Sequence, residues 1–162
     1  MNYFFSALVI ESGVRHPLQL VSLALIDEGG REYYAESNEY DYLYAPEPLR
    51  SLIPQSVDGT SPKPLALIAQ DVEHFVAHHF PTFWGYNGFV EFTAFYQLFG
   101  TQSIPPTWPF YFHDFAVELE RAGNPRPPDI DAIRDDHHAL SNARWLRDAY
   151  AWLTSTHSTS IP

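Results

Sequence analysis

The order of apolar runs predicts an α/β layer fold, a mixed sheet of about five strands with flanking helices. Three observations carry this expectation. The first eleven residues, Met1-Asn-Tyr-Phe-Phe-Ser-Ala-Leu-Val-Ile-Glu11, form an almost unbroken apolar and aromatic run, as a central strand covered on both faces requires. Further strand-like stretches follow, two of them joined by a glycine turn. Beyond residue 60 the pattern changes to helical stripes alternating with two short strand-like segments.

Taken in order, residues 18–27 (Leu-Gln-Leu-Val-Ser-Leu-Ala-Leu-Ile-Asp) make a second, partly alternating strand. Glu28-Gly29-Gly30 is a hairpin turn signal, and residues 31–36 form a third strand at the sheet edge, which completes an antiparallel meander. Residues 37–62 are rich in Tyr, Pro, Ser and Asp, and Pro46, Pro48, Pro54 and Pro62 interrupt regular structure. An irregular excursion is expected there, with one helical turn near Leu49–Ile53. Ser61 is placed as an N-cap with Pro62 at the first helical position. The helix it opens runs from about Leu65 to His79 and buries Leu65, Ile68, Val72, Phe75 and Val76.

Phe83-Trp-Gly-Tyr86 reads as a short buried strand, and a helix from about Phe89 to Phe99 follows it, with Gly100 as C-cap. A proline-rich connector over Ile104–Pro109 leads to a last strand at Tyr111-Phe-His113. Asp114 caps a helix to about Arg121, which a Gly123-Asn-Pro turn ends. A closing helix over 136–154 buries Leu140, Trp145, Leu146, Tyr150 and Leu153. One domain over 1–154 and a flexible Ser/Thr-rich tail over 155–162 are expected.

Composition removes several classes of function. There is no cysteine, so disulfides, thiolate catalysis and Cys-based zinc sites are excluded. The start lacks a basic leader region, and no apolar run approaches the roughly 20 residues of a membrane span. A soluble, cytoplasmic protein with no membrane partner is expected. Nine basic residues against 20 acidic ones give a net charge of -11. Phosphate contacts dominate nucleic-acid affinity, so this balance argues against duplex DNA. A short single strand held by its bases stays permitted, because stacking needs aromatic faces more than charge.

Three patches, read together, resemble the DEDDh 3′–5′ exonucleases, and more closely the small bacterial 3′–5′ exoribonuclease branch of the ribonuclease AS type. They are Tyr3–Gly13 with the hairpin Gly29-Gly-Arg-Glu-Tyr-Tyr34, then Phe83–Gly100, then His137-His-Ala-Leu-Ser-Asn-Ala-Arg144. The last is similar to the family's H-x-A-L-x-D-A-R helix, and Tyr111–Pro125 also fits. The resemblance spans nearly the whole chain and implies a ribonuclease H-like arrangement.

Such enzymes hold two divalent ions with four carboxylates and use a nearby His to deprotonate the attacking water. The resemblance puts the first-strand Asp-x-Glu at Ser6 and Leu8, two positions on one strand face. It puts the third carboxylate at Glu91 and the fourth at Asn142, five residues after an unchanged His137. Three of four acidic positions are therefore neutral. Two Mg²⁺ ions bring four positive charges and prefer several oxygen ligands, some anionic. Glu91, Ser6 and Asn142 offer one negative charge among them.

The expectation is a catalytically degenerate exoribonuclease-like domain that needs no cofactor. It would bind a nucleotide, a short single-stranded RNA end or a protein without cutting. The alternative is an active Mg²⁺- or Mn²⁺-dependent exoribonuclease built on Glu91 and His137. Asp135 and Asp136 could approach its pocket mouth, whereas Glu11 lies on the wrong face and at the far end.

Other candidates read more plainly. His74 and His78 share a helix face at a spacing that can bind zinc, but no third ligand accompanies them, and no metal site is assigned. Trp84 and Tyr86 share a strand face and could stack a base, or simply pack in the core. Tyr33, Tyr34, Tyr40, Tyr42 and Tyr44 exceed what a core needs, and tyrosine-rich surface is common at interfaces. With the acidic charge they favour a protein partner or a homodimer over free RNA, and the resemblance also implies self-association.

Overall fold

The computed structural model describes residues 1–11, 18–50, 53, 61–76, 80–131 and 138–156. Five strands form one mixed sheet in the order β3-β2-β1-β4-β5. They are β1 (Asn2–Ile10), β2 (Gln19–Asp27), β3 (Glu32–Glu36), β4 (Thr82–Gly85) and β5 (His113–Asp114). β1–β2 and β2–β3 pair antiparallel, while β4 joins β1, and β5 joins β4, in parallel. The helices are α1 (Glu47–Arg50), α2 (Leu65–Phe75), α3 (Phe89–Ser103), α4 (Phe115–Arg121) and α5 (Ala139–Thr156), with a 3-10 turn at Tyr42–Tyr44. None of the described helices is long and apolar enough to cross a membrane.

β1 lies in the middle because its alternate residues can all be buried. Tyr3, Phe5 and Ala7 face α2 and α3, among Ile68, Val72, Phe83, Phe92 and Phe95. Phe4 faces the other way, onto Trp84, Phe115, Trp145 and Leu146. Neighbouring Ala24 and Ile26 of β2 meet Ala139, Leu140 and Ala143 of α5. The period-2 alternation thus makes two cores from one apolar run. Phe5 anchors the first, with Phe92, Phe95 and Phe112 rings within 6 Å of its own. Glycine at 85 eases the passage of β4 beside it, since an added Cβ would lie 3.0 Å from the Phe5 ring and 3.2 Å from that of Phe112.

The hairpin between β2 and β3 is held by Asp27. Its carboxylate accepts from the Arg31 backbone N–H at 2.9 Å and the Arg31 side chain at 2.5 Å. Gly30 closes the turn at φ 88°, a conformation that favours glycine. Arg144 of α5 then forks onto Glu32 with two bonds of 2.8 and 2.6 Å. The hairpin and the closing helix, two stretches that carried the family resemblance, are thus joined by a bidentate ion pair.

Several boundaries differ from expectation. Ser61 caps nothing; Pro64 occupies the N-cap position and α2 starts at Leu65. Residues before proline are driven to extended backbone, so 61–63 instead joins β3's end, with a Ser37–Lys63 bridge. The short helix is described over Glu47–Arg50, starting two residues before the expected turn because prolines are tolerated in a first helical turn, and residues 51–52 of that turn lie outside the described residues. α2 ends at Phe75, and the expected continuation over 77–79 lies outside the described residues. β5 is confined to His113–Asp114, so Tyr111 and Phe112 precede it. Gly100 interrupts helical geometry at φ 59°, as a C-cap glycine should, although helix resumes to Ser103. Asp114 caps α4 as expected, accepting from Ala116 N–H at 2.9 Å. α5 continues to Thr156, past the expected end of the domain, and 132–137 and 157–162 lie outside the described residues.

Burial penalises the Asp27 carboxylate, but the hydrogen bonds and charge of Arg31 outweigh that cost and hold its pKa below the ordinary value. Its stabilising effect is present above the unfolded pKa of about 3.9 and is lost as pH falls through the lower folded value. Asp27→Asn should lower stability at pH 7 by about 1–3 kcal/mol and flatten the acid side of a urea-unfolding pH profile. An unchanged acid limb would count against this role.

Candidate functional site

The side of the sheet covered by α5 carries Ser6 and Leu8. β4 pairs with β1 only as far as Phe4, so the β4-side edge of β1 is without a strand partner from there on. The chain leaves β4 at Gly85, turns through Tyr86–Gly88 and starts α3 at Phe89, which brings Glu91 of its first turn to that edge. Glu91 accepts a hydrogen bond from Ser6 Oγ at 3.4 Å and another from the Ala7 backbone N–H. A buried strand N–H needs a partner, and the carboxylate supplies it. Burial nevertheless dominates and pushes the Glu91 pKa up to about 7, with the Ala7 and Ser6 bonds opposing it.

Asn142 reaches the same face by helical periodicity. It lies four residues before Leu146 and three after Ala139, both buried against the sheet, so it falls within the sheet-facing stripe of α5. Its Oδ1 is buried with no hydrogen-bond partner among the described residues. His137 lies outside the described residues, as do Asp135 and Asp136. The next residue, His138, stacks on Tyr34 of β3 with centroids 5.1 Å apart.

Leu8 has a different environment. It is 7% exposed and packs with Ile10, Val21, Ala45 and Ile53, with Tyr40 at their margin. A register shift at Leu8–Val9 leaves Val21 as the extra residue of β2. Leu8 therefore belongs to an apolar cluster under the chain segment that follows β3.

One buried carboxylate was not read from the sequence. Glu36 is 5% exposed and accepts from Tyr34 Oη at 2.9 Å. Glu36 pairs with Ser22, and Ser22 pairs with Leu8, so the three form one cross-strand row on one face. Two strand spacings separate the ends of that row by about 10 Å. The β1–β2 and β2–β3 registers taken together locate it. Even with Glu36, no group of three His, Asp or Glu among the described residues could hold a metal ion.

Trp84 is 8% exposed, donates to Asn2 Oδ1 at 3.1 Å, and has Tyr150 and His113 rings against it. Tyr86 meets Trp145 edge-on at 5.1 Å and keeps part of its surface. Of the two stacking candidates, only Tyr86 has appreciable surface for a base. His74 bonds the Gln70 carbonyl at 2.7 Å, while His78 is outside the described residues. The tyrosine group divides. Tyr33 bonds Asp71 and Tyr34 bonds Glu36, whereas Tyr42 and Tyr44 are about half exposed on either side of Leu43.

Comparison with known proteins gives one close relationship. The chain is 32% identical over 167 residues to a 3′–5′ exoribonuclease found in two strains of Mycobacterium tuberculosis, covering 96% of this chain and 95% of the relative. No family model matches. Among solved structures, apo exonuclease I superposes with a TM-score of 0.64 at 15% identity, and its product-bound form with 0.62 at 12%. Each match covers 95% of this chain, which spans 42% and 43% of those longer chains. The shared fold is ribonuclease H-like.

A carboxyl with a folded pKa of about 7 and a reference value of 4.5 binds more protons in the folded state between those values. Stability should therefore fall as pH rises from about 4.5 to 7. Carboxyl ¹³C titration should give Glu91 a midpoint near 7, and Glu91→Gln should raise the melting temperature at pH 8. A midpoint near 4.5 would contradict the buried setting.

Proposed function

The chain belongs to the DEDDh family of 3′–5′ exoribonucleases, and from that premise we propose that it is a catalytically degenerate member. It binds a nucleotide, an RNA end or a protein in the setting where the family cuts RNA. The donor set carries this reading. Of the four positions matched to metal carboxylates, Ser6 and Asn142 are neutral, Leu8 is packed among aliphatic side chains, and Glu91 alone carries a carboxyl. Two divalent ions need several oxygen ligands carrying compensating charge. These side chains do not fit that requirement, and no hydrolytic step is derived from them.

What remains on this face is Ser6 bonded to Glu91, and on the sheet-facing stripe of α5 the Asn142 oxygen, buried without a partner among the described residues. Such groups can hydrogen-bond the sugar or base of a small ligand. They do not provide a cation for phosphate. Of nine basic residues, Arg15 and Arg134 lie outside the described set, and each of the other seven is ion-paired with an acidic side chain. This favours a protein partner, or a second copy, over a long RNA.

The discriminating assay is shortening of a 3′-labelled single-stranded RNA by purified protein with Mn²⁺ or Mg²⁺, beside Glu91→Ala and His137→Ala. No shortening is expected, or only shortening that persists in both variants and so marks contamination. Metal-dependent release of nucleotides that both substitutions abolish would establish the active alternative. Melting with AMP, oligo(A) and each metal separates the ligands, because a bound ligand raises the melting temperature by mass action.

A further inference from the structure

We propose that the segment Glu39–Glu47 is a preformed docking knob for a cationic protein partner, one with an apolar pocket bordered by Lys or Arg. This goes beyond the reading of that site and holds whether or not RNA is cut. Leu43 is 76% exposed at the apex of the 3-10 turn, with Tyr42 at 47% and Tyr44 at 49% on either side. Three consecutive large apolar side chains presented together are not what a solvated loop needs.

The knob is held in shape from within. Asp41 accepts from Leu43 N–H at 2.9 Å. Arg50 donates to the Ala45 and Leu43 carbonyls at 2.8 and 2.9 Å and to Glu47 at 3.0 Å, and its guanidinium lies over the Tyr42 ring. Ala45 is 1% exposed and sits on Leu8, Ile10 and Val21, which anchors the base of the segment to the sheet. A rigid apolar projection loses little conformational freedom when it is covered, which favours binding.

Charge decides the occupant. Glu39, Asp41 and Glu47 are exposed around the knob. The nearby cation, Arg50, is already committed to carbonyls and to Glu47. A second copy would bring a net charge of -11 and, among described residues, only cations already held in ion pairs. RNA would bring phosphates to an acidic rim. A foreign basic surface complements it, and complementary charge raises both encounter rate and selectivity.

The test uses fluorescein-labelled short peptides in fluorescence anisotropy with the full chain. One alternates Lys with Leu, one replaces each Lys by Glu, and one contains Lys alone; labelled oligo(A) is the fourth probe. The Lys/Leu peptide should bind at least about tenfold more tightly than the others, and Leu43→Ser and Glu39→Lys should each weaken it by about tenfold. Glu120→Lys, an exposed change on α4, should leave it unaltered. Melting temperatures of all three variants should match the parent, since the altered side chains are exposed. The proposal is overturned by equal binding of the three peptides, or by equal loss in Glu120→Lys, which would mark general charge attraction. It is also overturned if Leu43→Ser abolishes oligo(A) binding, or splits a dimer seen by sedimentation.

Discussion

A strand with neighbours on both edges and helices on both faces can hold a polar side chain only where a partner meets it. β1 is under that constraint, and the rest of the molecule is arranged around it. Its odd residues Tyr3, Phe5 and Ala7 are spent on the α2–α3 core, Phe4 on the α4–α5 core, and Leu8 and Ile10 on a third cluster under the segment after β3. Ser6 survives as a polar residue because Glu91 comes to the edge that β4 vacates. Leu8 meets no such partner and is apolar. Of the four positions matched to the family's carboxylates, Glu91 is then the one that carries an acid.

The same economy governs charge elsewhere. Acidic side chains outnumber basic ones by 20 to nine, and three of the seven described cations fasten a turn or separate elements of the fold. Arg31 closes the hairpin on Asp27, Arg144 ties α5 to β3, and Lys63 joins Asp71 of α2 beside the end of β3. Cations used in this way are not offered to phosphate. An acidic surplus of this kind disfavours nucleic acid and complements basic surfaces. The neutral residues at positions 6, 8 and 142 and the acidic balance are what the proposed role, recognition rather than phosphodiester cleavage, rests on.

Much of this was legible in the sequence. The apolar opening run and the Glu28-Gly29-Gly30 turn made the antiparallel meander legible, with a buried first strand and an edge third strand, because periodicity reports burial directly. The candidate positions Ser6 and Glu91 do meet, and Asn142 lies on the sheet-facing stripe. What was not legible depended on tertiary partners. Ser61 looked like a cap, yet the prolines at 62 and 64 hold that stretch extended against β3. Five tyrosines looked alike, yet Asp71 and Glu36 draw Tyr33 and Tyr34 inward while Arg50 props Tyr42 outward. Glu36 was overlooked because its place beside Ser22 and Leu8 emerges only when two strand registers are combined.

If Ser6, Leu8, Glu91 and Asn142 lack the charge to hold a metal pair, a count of bound Mn²⁺ ions will show it. Titrating the protein with Mn²⁺ at pH 7.5 and following the free ion by electron paramagnetic resonance gives both number and affinity. No tight site is expected, and at most one weak ion that Glu91→Gln removes. Two tight ions per chain, bound cooperatively and lost together in Glu91→Gln, would contradict it.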